Sequence, residues 1–277
     1  MKDNELFHQF SGFYATPGIF KNSETFGLNN FDFPEIEVNT ELVAQLNAID
    51  HPRNSVLGKR MESFFEIAVN HSARYDLIAS NIQIIRDKQT LGELDFLIFD
   101  NLKNKPLHIE LIYKLYICNS ENPNAINSWI GPNRRDSLSK KLEKLENQQF
   151  PLLHSQSAKI YLEKYGLSAE DVEQQICFKA QLYKSEGLIK QAGLINESCY
   201  CGNWYHASEF LKKDWKQNQF YCPQKLSWCA TSPEQTQWFD FTTIATQIEQ
   251  ILAREKSPLI WMKTPTGKTH RFFITYW

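Results

Sequence analysis

Between Val56 and Ile117 the apolar residues change their spacing, from every third or fourth position to every second one. That switch restricts the possible folds more than any single motif in the chain. Met61, Phe64, Phe65 and Ala68 fall at i, i+3, i+4 and i+7, so Val56–Asn70 is predicted to be a helix with one apolar face. Ser80–Asp87, with Ile82, Ile84 and Ile85, then reads as a strand, and Gln89–Gly92 as the turn that ends it. Glu93–Asp100 reads as a second strand, Asn101–Pro106 as a polar turn and Leu107–Ile117 as a long third strand. Short connections favour a three-stranded meander behind the helix.

The pattern continues through an Asn-, Pro- and Gly-rich loop (Asn119–Asn133) into a charged helix, Asp136 to about Asn147, striped by Leu138, Leu142 and Leu145. Ser168-x-x-Asp171 has the form of a capping box opening a further short helix. Ile176–Tyr183 follows as a strand in which Ile176, Phe178, Ala180 and Leu182 alternate with polar residues. Helix, three strands, helices and strand make an α/β chain with a mixed sheet. Residues 1–54 read as an irregular arm with one short helix near Asn39–Ile49. Residues 186–277 read as a tryptophan-rich α+β elaboration packed on the core, with a helix near Phe241–Glu255 and strands at Pro258–Lys263 and Lys268–Tyr276.

Composition removes several function classes. A formal charge of −2 leaves no basic surplus to coat nucleic acid, so any phosphate contact must come from a local patch. The N-terminal residues lack a secretory pattern and no run approaches the ~20 apolar residues of a membrane span, so a cytoplasmic chain with no membrane contact is expected. Cys199-x-Cys201 with His206 offers zinc-type ligands, but without paired CxxC spacing ordinary thiols are the simpler expectation. Thr266-Gly267-Lys268-Thr269 echoes a phosphate-binding loop, yet Met262 stands where that motif needs glycine, so a hairpin turn is expected.

The chemistry lies in Gly92-Glu93-Leu94-Asp95-Phe96 and Leu107-His108-Ile109-Glu110-Leu111. Period-two alternation places Glu93 and Asp95 on one face of their strand, and His108, Glu110, Ile112 and Lys114 on one face of the next. Two carboxylates brought together among apolar residues repel and resist desolvation, and a divalent cation compensates both costs.

At these residues the chain resembles the PD-(D/E)XK nuclease superfamily, whose signature is an Asp on one strand and Glu-x-Lys on the next. Gly92-Glu93-Leu94-Asp95 is similar to the GEID form of its resolvase-like members, and Gly58-Lys59-Arg60-Met61-Glu62 to a helix that supplies an extra acidic ligand. Glu110-x-x-x-Lys114-x-Tyr116, Gly131-Pro132-Asn133 and Asp136-x-Leu138-x-x-Lys141-Leu142 together resemble an uncharacterised bacterial domain-of-unknown-function family within that superfamily. The resemblance implies a restriction-endonuclease-like αβββαβ core over residues 55–185. It also implies Mg²⁺ or Mn²⁺ held by Asp95 and Glu110 with Glu62 assisting, and hydrolysis of DNA or RNA phosphodiesters.

One departure stands out. The superfamily lysine belongs two residues after the glutamate, where this chain has Ile112. Lys114 keeps the face but lies about 6–7 Å further along the strand, so Lys114 or Lys141 is the expected catalytic cation. Simpler readings stand beside these: Glu62 and Glu93 as surface or locally paired charges, His108 as a satisfied surface histidine, and residues 133–147 as a salt-bridged helix face. The competing function is a catalytically degenerate member of the fold that binds a nucleic acid or a protein.

Overall fold

Apolar spacing marks the central helix and strands correctly, and the differences gather where tertiary contacts override local preference. In a computed structural model, residues 2–22, 24–25, 27–52, 56–188, 193–233 and 237–277 are described. The chain runs α1 (Lys2–Ala15), β1 (Glu24–Thr25), β2 (Leu28–Asn30), α2 (Thr40–Asn47), α3 (Leu57–Asn70), β3 (Tyr75–Arg86), β4 (Gln89–Asp100) and β5 (Lys105–Cys118). It continues with β6 (Trp129–Ile130), α4 (Leu138–Lys144), a π-helical turn (Leu145–Gln149), α5 (Phe150–Leu153), α6 (Gln156–Glu163) and β7 (Glu173–Ser185). The last part holds β8 (Tyr200–His206), α7 (Ala207–Lys212), β9 (Gln219–Tyr221), α8 (Phe241–Leu252), β10 (Leu259–Lys263) and β11 (Thr269–Thr275). This is a mixed α/β chain, and no helix among the described residues is long and apolar enough to cross a membrane.

Two compact units result. One comprises Gly18–Tyr113 and Lys140–Lys179; the other comprises Met1–Pro17, Lys114–Ser139 and Ala180–Trp277. In the first, β3 pairs antiparallel with β4, β4 antiparallel with β5, and β2 parallel with β7. Met61, Phe64, Phe65 and Ala68 of α3 are fully buried, as their spacing requires, and Phe65 packs on Phe96 of β4 with ring centroids 4.5 Å apart. Leu97, the next residue, clusters instead with Leu153, Ala158 and Leu162 of α5 and α6. Adjacent strand residues point to opposite faces, so β4 is covered on both sides.

In the second unit β8 lies parallel to the C-terminal half of β7 and to β11, and β10 pairs antiparallel with β11 and β9. Ile244 and Ile248 of α8 cover this sheet through Phe220, Ile260 and Phe272. Gly267 turns the β10–β11 hairpin at a φ of +83°, so the Thr266–Thr269 run is a turn.

Several expectations are corrected. Helix α1 falls within the predicted irregular arm. Leu6, Phe10 and Phe13 do follow helical spacing, but Ser11-Gly12 lowers local propensity, and close packing carries the helix instead. A Cβ on Gly12 would meet the Cys229 carbonyl oxygen and come within 2.7 Å of the Ala230 Cα. The β3–β4 turn sits at Asp87-Lys88, both at positive φ (51° and 63°), so Gln89–Gly92 is strand and not turn. Ser168 opens no helix; its hydroxyl bonds Glu170, while α6 starts earlier behind a true cap in which Ser155 Oγ accepts from the Ala158 N–H at 3.1 Å. Strand β7 is buried on both faces, and its polar alternates Gln175, Lys179 and Gln181 are inside. Lys179 is accommodated over the Phe33 ring, 3.9 Å from its centroid.

Candidate carboxylate site

Strands β4 and β5 build the site. Phe96 faces Ile109 and Leu97 faces His108, and carrying that register one residue further sets Asp95 opposite Glu110. The Leu111 N–H donates to Asp95 Oδ2 at 2.9 Å, so the carboxylate is tied across the strand pair. At the other end of the ladder Asp100 fixes the register. It accepts from Arg74 Nε (3.0 Å) and Nη2 (2.8 Å) and from the turn amides of Leu102 (3.0 Å) and Lys103 (3.2 Å).

Glu110 is fully buried, and both of its oxygens have partners. Oε1 lies 3.1 Å from His108 Nε2, and Oε2 accepts from Gln149 Nε2. Gln149 in turn accepts from Lys141 Nζ at 2.7 Å. The π-helical turn makes that link: eight residues of α-helix would leave Lys141 and Gln149 roughly 80° apart around the axis, and the wider turn brings them to within roughly 20°. His108 is also fully buried, contrary to the surface position expected for it; its Nδ1 is 3.1 Å from Gln174 Nε2, and its ring packs edge-on against Phe150.

The electrostatics are frustrated. Burial, reinforced by the Glu110 charge, pushes the Asp95 carboxyl up to about 7; the Leu111 N–H and Lys141 oppose this. Burial raises the Glu110 carboxyl well above its ordinary range, against Lys141 and Lys144 and with Glu93 adding to the rise. Burial holds the His108 imidazole down at about 4. Yet the amide partner of Glu110 donates, and the geometry of His108 makes it a donor too. The hydrogen bonding suits the charged carboxylate while burial disfavours it.

The other anticipated residues are placed as follows. Glu62 is paired with Lys59 at 2.7 Å, and Lys59 also donates to Asn81 Oδ1 at 2.9 Å; the Glu62 charge still contributes to raising Asp95. Lys141 is half-buried and joined to Glu110 through Gln149. Lys114 falls in the other compact unit, ion-paired with Asp136 at 2.5 Å. The Gly131-Pro132-Asn133 block serves to tie the chain together. Its Pro132 carbonyl accepts from Ser257 Oγ (2.7 Å) and Trp277 Nε1 (3.1 Å), and Asn133 Oδ1 from the Ser257 N–H (2.8 Å).

All six cysteines are thiols outside any disulfide, and His206 Nδ1 lies 2.9 Å from the Trp277 carbonyl. A cavity of about 600 Å³ in the tryptophan-rich unit is lined by Tyr200, Tyr205, Trp215, Trp261 and Arg271, with Glu186 as its one carboxylate. Sequence reasoning did not select Gln149 or Gln174. Neutral amides carry no charge signal, and their role depends on the π-helical turn and on the placement of β7.

Among the described residues no group of three or more His, Cys, Asp or Glu side chains is arranged to hold a metal ion. Two carboxylates suffice for Mg²⁺, which keeps several waters and takes one or two protein carboxylates with substrate phosphate. Asp95 and Glu110 fit that donor set chemically. A family model described as a domain of unknown function (DUF1853) matches residues 34–274. No curated protein and no solved structure matches the chain.

Proposed function

This chain belongs to the DUF1853 family, and from that premise we propose that it is a PD-(D/E)XK-type, Mg²⁺- or Mn²⁺-dependent phosphodiesterase acting on DNA or RNA. The observation that carries the reading is the donor chain Lys141–Gln149–Glu110 ending beside Asp95 on the neighbouring strand. The element order α3, β3, β4, β5, α4, β7 supports it as the order of a restriction-endonuclease-like core. Asp95 and Glu110 would hold the cation, which supplies a polarised water and charge neutralisation at a phosphoryl group. Glu62 adds negative potential from α3. Lys141 takes the place of the lysine that Ile112 displaces, since it lies on the following helix and its charge already acts on both carboxylates. Lys114, paired with Asp136, is the weaker candidate for that role.

One observation favours a second reading, a catalytically degenerate member of the fold that binds nucleic acid or protein. Both oxygens of Glu110 are engaged by hydrogen-bonding partners, so a cation must displace or share at least one of them. Calorimetry with Mg²⁺ and Mn²⁺ on wild type and Asp95→Ala, with and without an oligonucleotide, separates the two. Binding that vanishes in a folded Asp95→Ala chain, together with cleavage of an oligonucleotide, supports the phosphodiesterase. Silence at millimolar metal in every arm refutes it and leaves the binding module.

A further inference from the structure

We propose that His108 is the positioning residue of this site: locked as its Nε2–H tautomer by Gln174, it fixes the Glu110 carboxylate in the orientation that receives the cation. The inference rests on the metal-binding reading above. A chain of donors carries it, and their direction is set from one end.

The Phe150 backbone carbonyl can only accept. Gln174 Nε2 donates to it at 2.9 Å, so the end of the Gln174 amide facing that carbonyl is its NH₂. The second hydrogen of that NH₂ is directed at His108 Nδ1, 3.1 Å away. Nδ1 is therefore the bare nitrogen, and the ring proton sits on Nε2, which donates to Glu110 Oε1 at 3.1 Å. A proton added at Nδ1 would face the Gln174 NH₂, donor against donor. The ring cannot re-aim: it is fully buried, and Phe150 packs edge-on against it.

The other oxygen of Glu110 shows the same logic. The Lys141 ammonium can only donate, so the oxygen of the Gln149 amide faces it and the NH₂ faces Glu110 Oε2. Two directional relays, one from Phe150 through Gln174 and His108, the other from Lys141 through Gln149, converge on one carboxylate. The Lys141 relay reaches Glu110 through a half-buried amide; in the His108 relay Gln174 is half-buried too, but the ring that touches Glu110 is fully buried. A cation that displaces the Gln149 amide leaves the His108 bond to set the angle of the carboxylate. That is the work an outer-shell partner does for a metal ligand.

The test reads the tautomer and the metal separately. Nitrogen-15 NMR of histidine-labelled protein is expected to show His108 protonated at Nε2 and bare at Nδ1, and Gln174→Leu to lose that single-tautomer signature. Mn²⁺ calorimetry is expected to fall roughly 10- to 100-fold in affinity for His108→Ala. His108→Gln, whose terminal amide can donate from the place of Nε2, should recover most of it. If His108→Ala does not fold, Gln174→Leu carries the affinity arm, with a smaller loss in the same direction. A proton on Nδ1 in wild type overturns the inference. So does unchanged Mn²⁺ affinity in a folded His108→Ala or Gln174→Leu chain while Asp95→Ala abolishes binding; that result leaves the metal reading standing. Wild type that binds no Mn²⁺ refutes the metal reading and this role with it, whatever the tautomer.

Discussion

Asp100→Asn tests the frame on which the site depends. The Asp100 carboxylate is fully buried and takes four donors: Arg74 Nε at 3.0 Å, Arg74 Nη2 at 2.8 Å, and the amides of Leu102 and Lys103 at 3.0 and 3.2 Å. Asparagine keeps the shape but turns one oxygen into an NH₂: in the place of Oδ2 it opposes Arg74 Nη2 alone, and in the place of Oδ1 it opposes Arg74 Nε and both turn amides. The cheaper Oδ2 place loses one charge-assisted bond, about 1.5–3 kcal/mol, and leaves Arg74 Nε a neutral acceptor, about 1 more, so the expected destabilisation is about 3 kcal/mol at pH 7. That is a large part of the roughly 5–15 kcal/mol by which a typical domain is stable.

The pH dependence has a definite sign. The Arg74 guanidinium holds the Asp100 carboxyl below its ordinary value of 3.8. A depressed folded value means the stability is present above the unfolded one and is lost as pH falls through the folded one. Urea unfolding of wild type and Asp100→Asn should therefore give a gap that is steady from pH 7 down to about pH 5 and closes in stronger acid. The site should feel the change, because Asp100 anchors the β4–β5 turn and a one-residue slip would move Asp95 off the face of Glu110. A gap under about 1 kcal/mol at pH 7, or one that widens in acid, would refute the reasoning.

Two further outcomes follow from named contacts. Lys141→Met should lower single-turnover cleavage by roughly 10²–10³ with a smaller effect on Mn²⁺ affinity; an equal loss in both would make Lys141 a support for Glu110 and not a cation acting on phosphate. Gly12→Ala should destabilise by about 1–3 kcal/mol in thermal or urea melts, because the new methyl meets the Cys229 carbonyl and the Ala230 Cα and outweighs a helix-propensity gain of about 1 kcal/mol; unchanged or increased stability would show that α1 can shift freely.

Local periodicity carried much of this protein. Met61, Phe64, Phe65 and Ala68 declared α3 because a helix face repeats on the scale of one or two turns. Asp95 and Glu110 could be paired on paper because β4 and β5 are joined by a short turn and alternate strictly. Other features needed the folded chain. The β3–β4 turn moved to Asp87-Lys88 because two positive-φ residues close a hairpin more tightly than Gln89–Gly92 would. Helix α1 depends on a glycine pressed against a backbone some two hundred residues away, and Ser168 lost its helix to a local bond with Glu170.

The site divides the same way. Carboxylates advertise themselves in a sequence, since charge beside apolar residues is costly and rare. The burial of His108, the tautomer that Gln174 imposes and the reach of Lys141 through Gln149 do not, because each needs two or three elements to meet. By itself the sequence determined which acids would be neighbours, through the period of two strands. Only the tertiary structure decided what holds them, because the orientation of neutral hydrogen-bonding groups is set by partners distant in the chain.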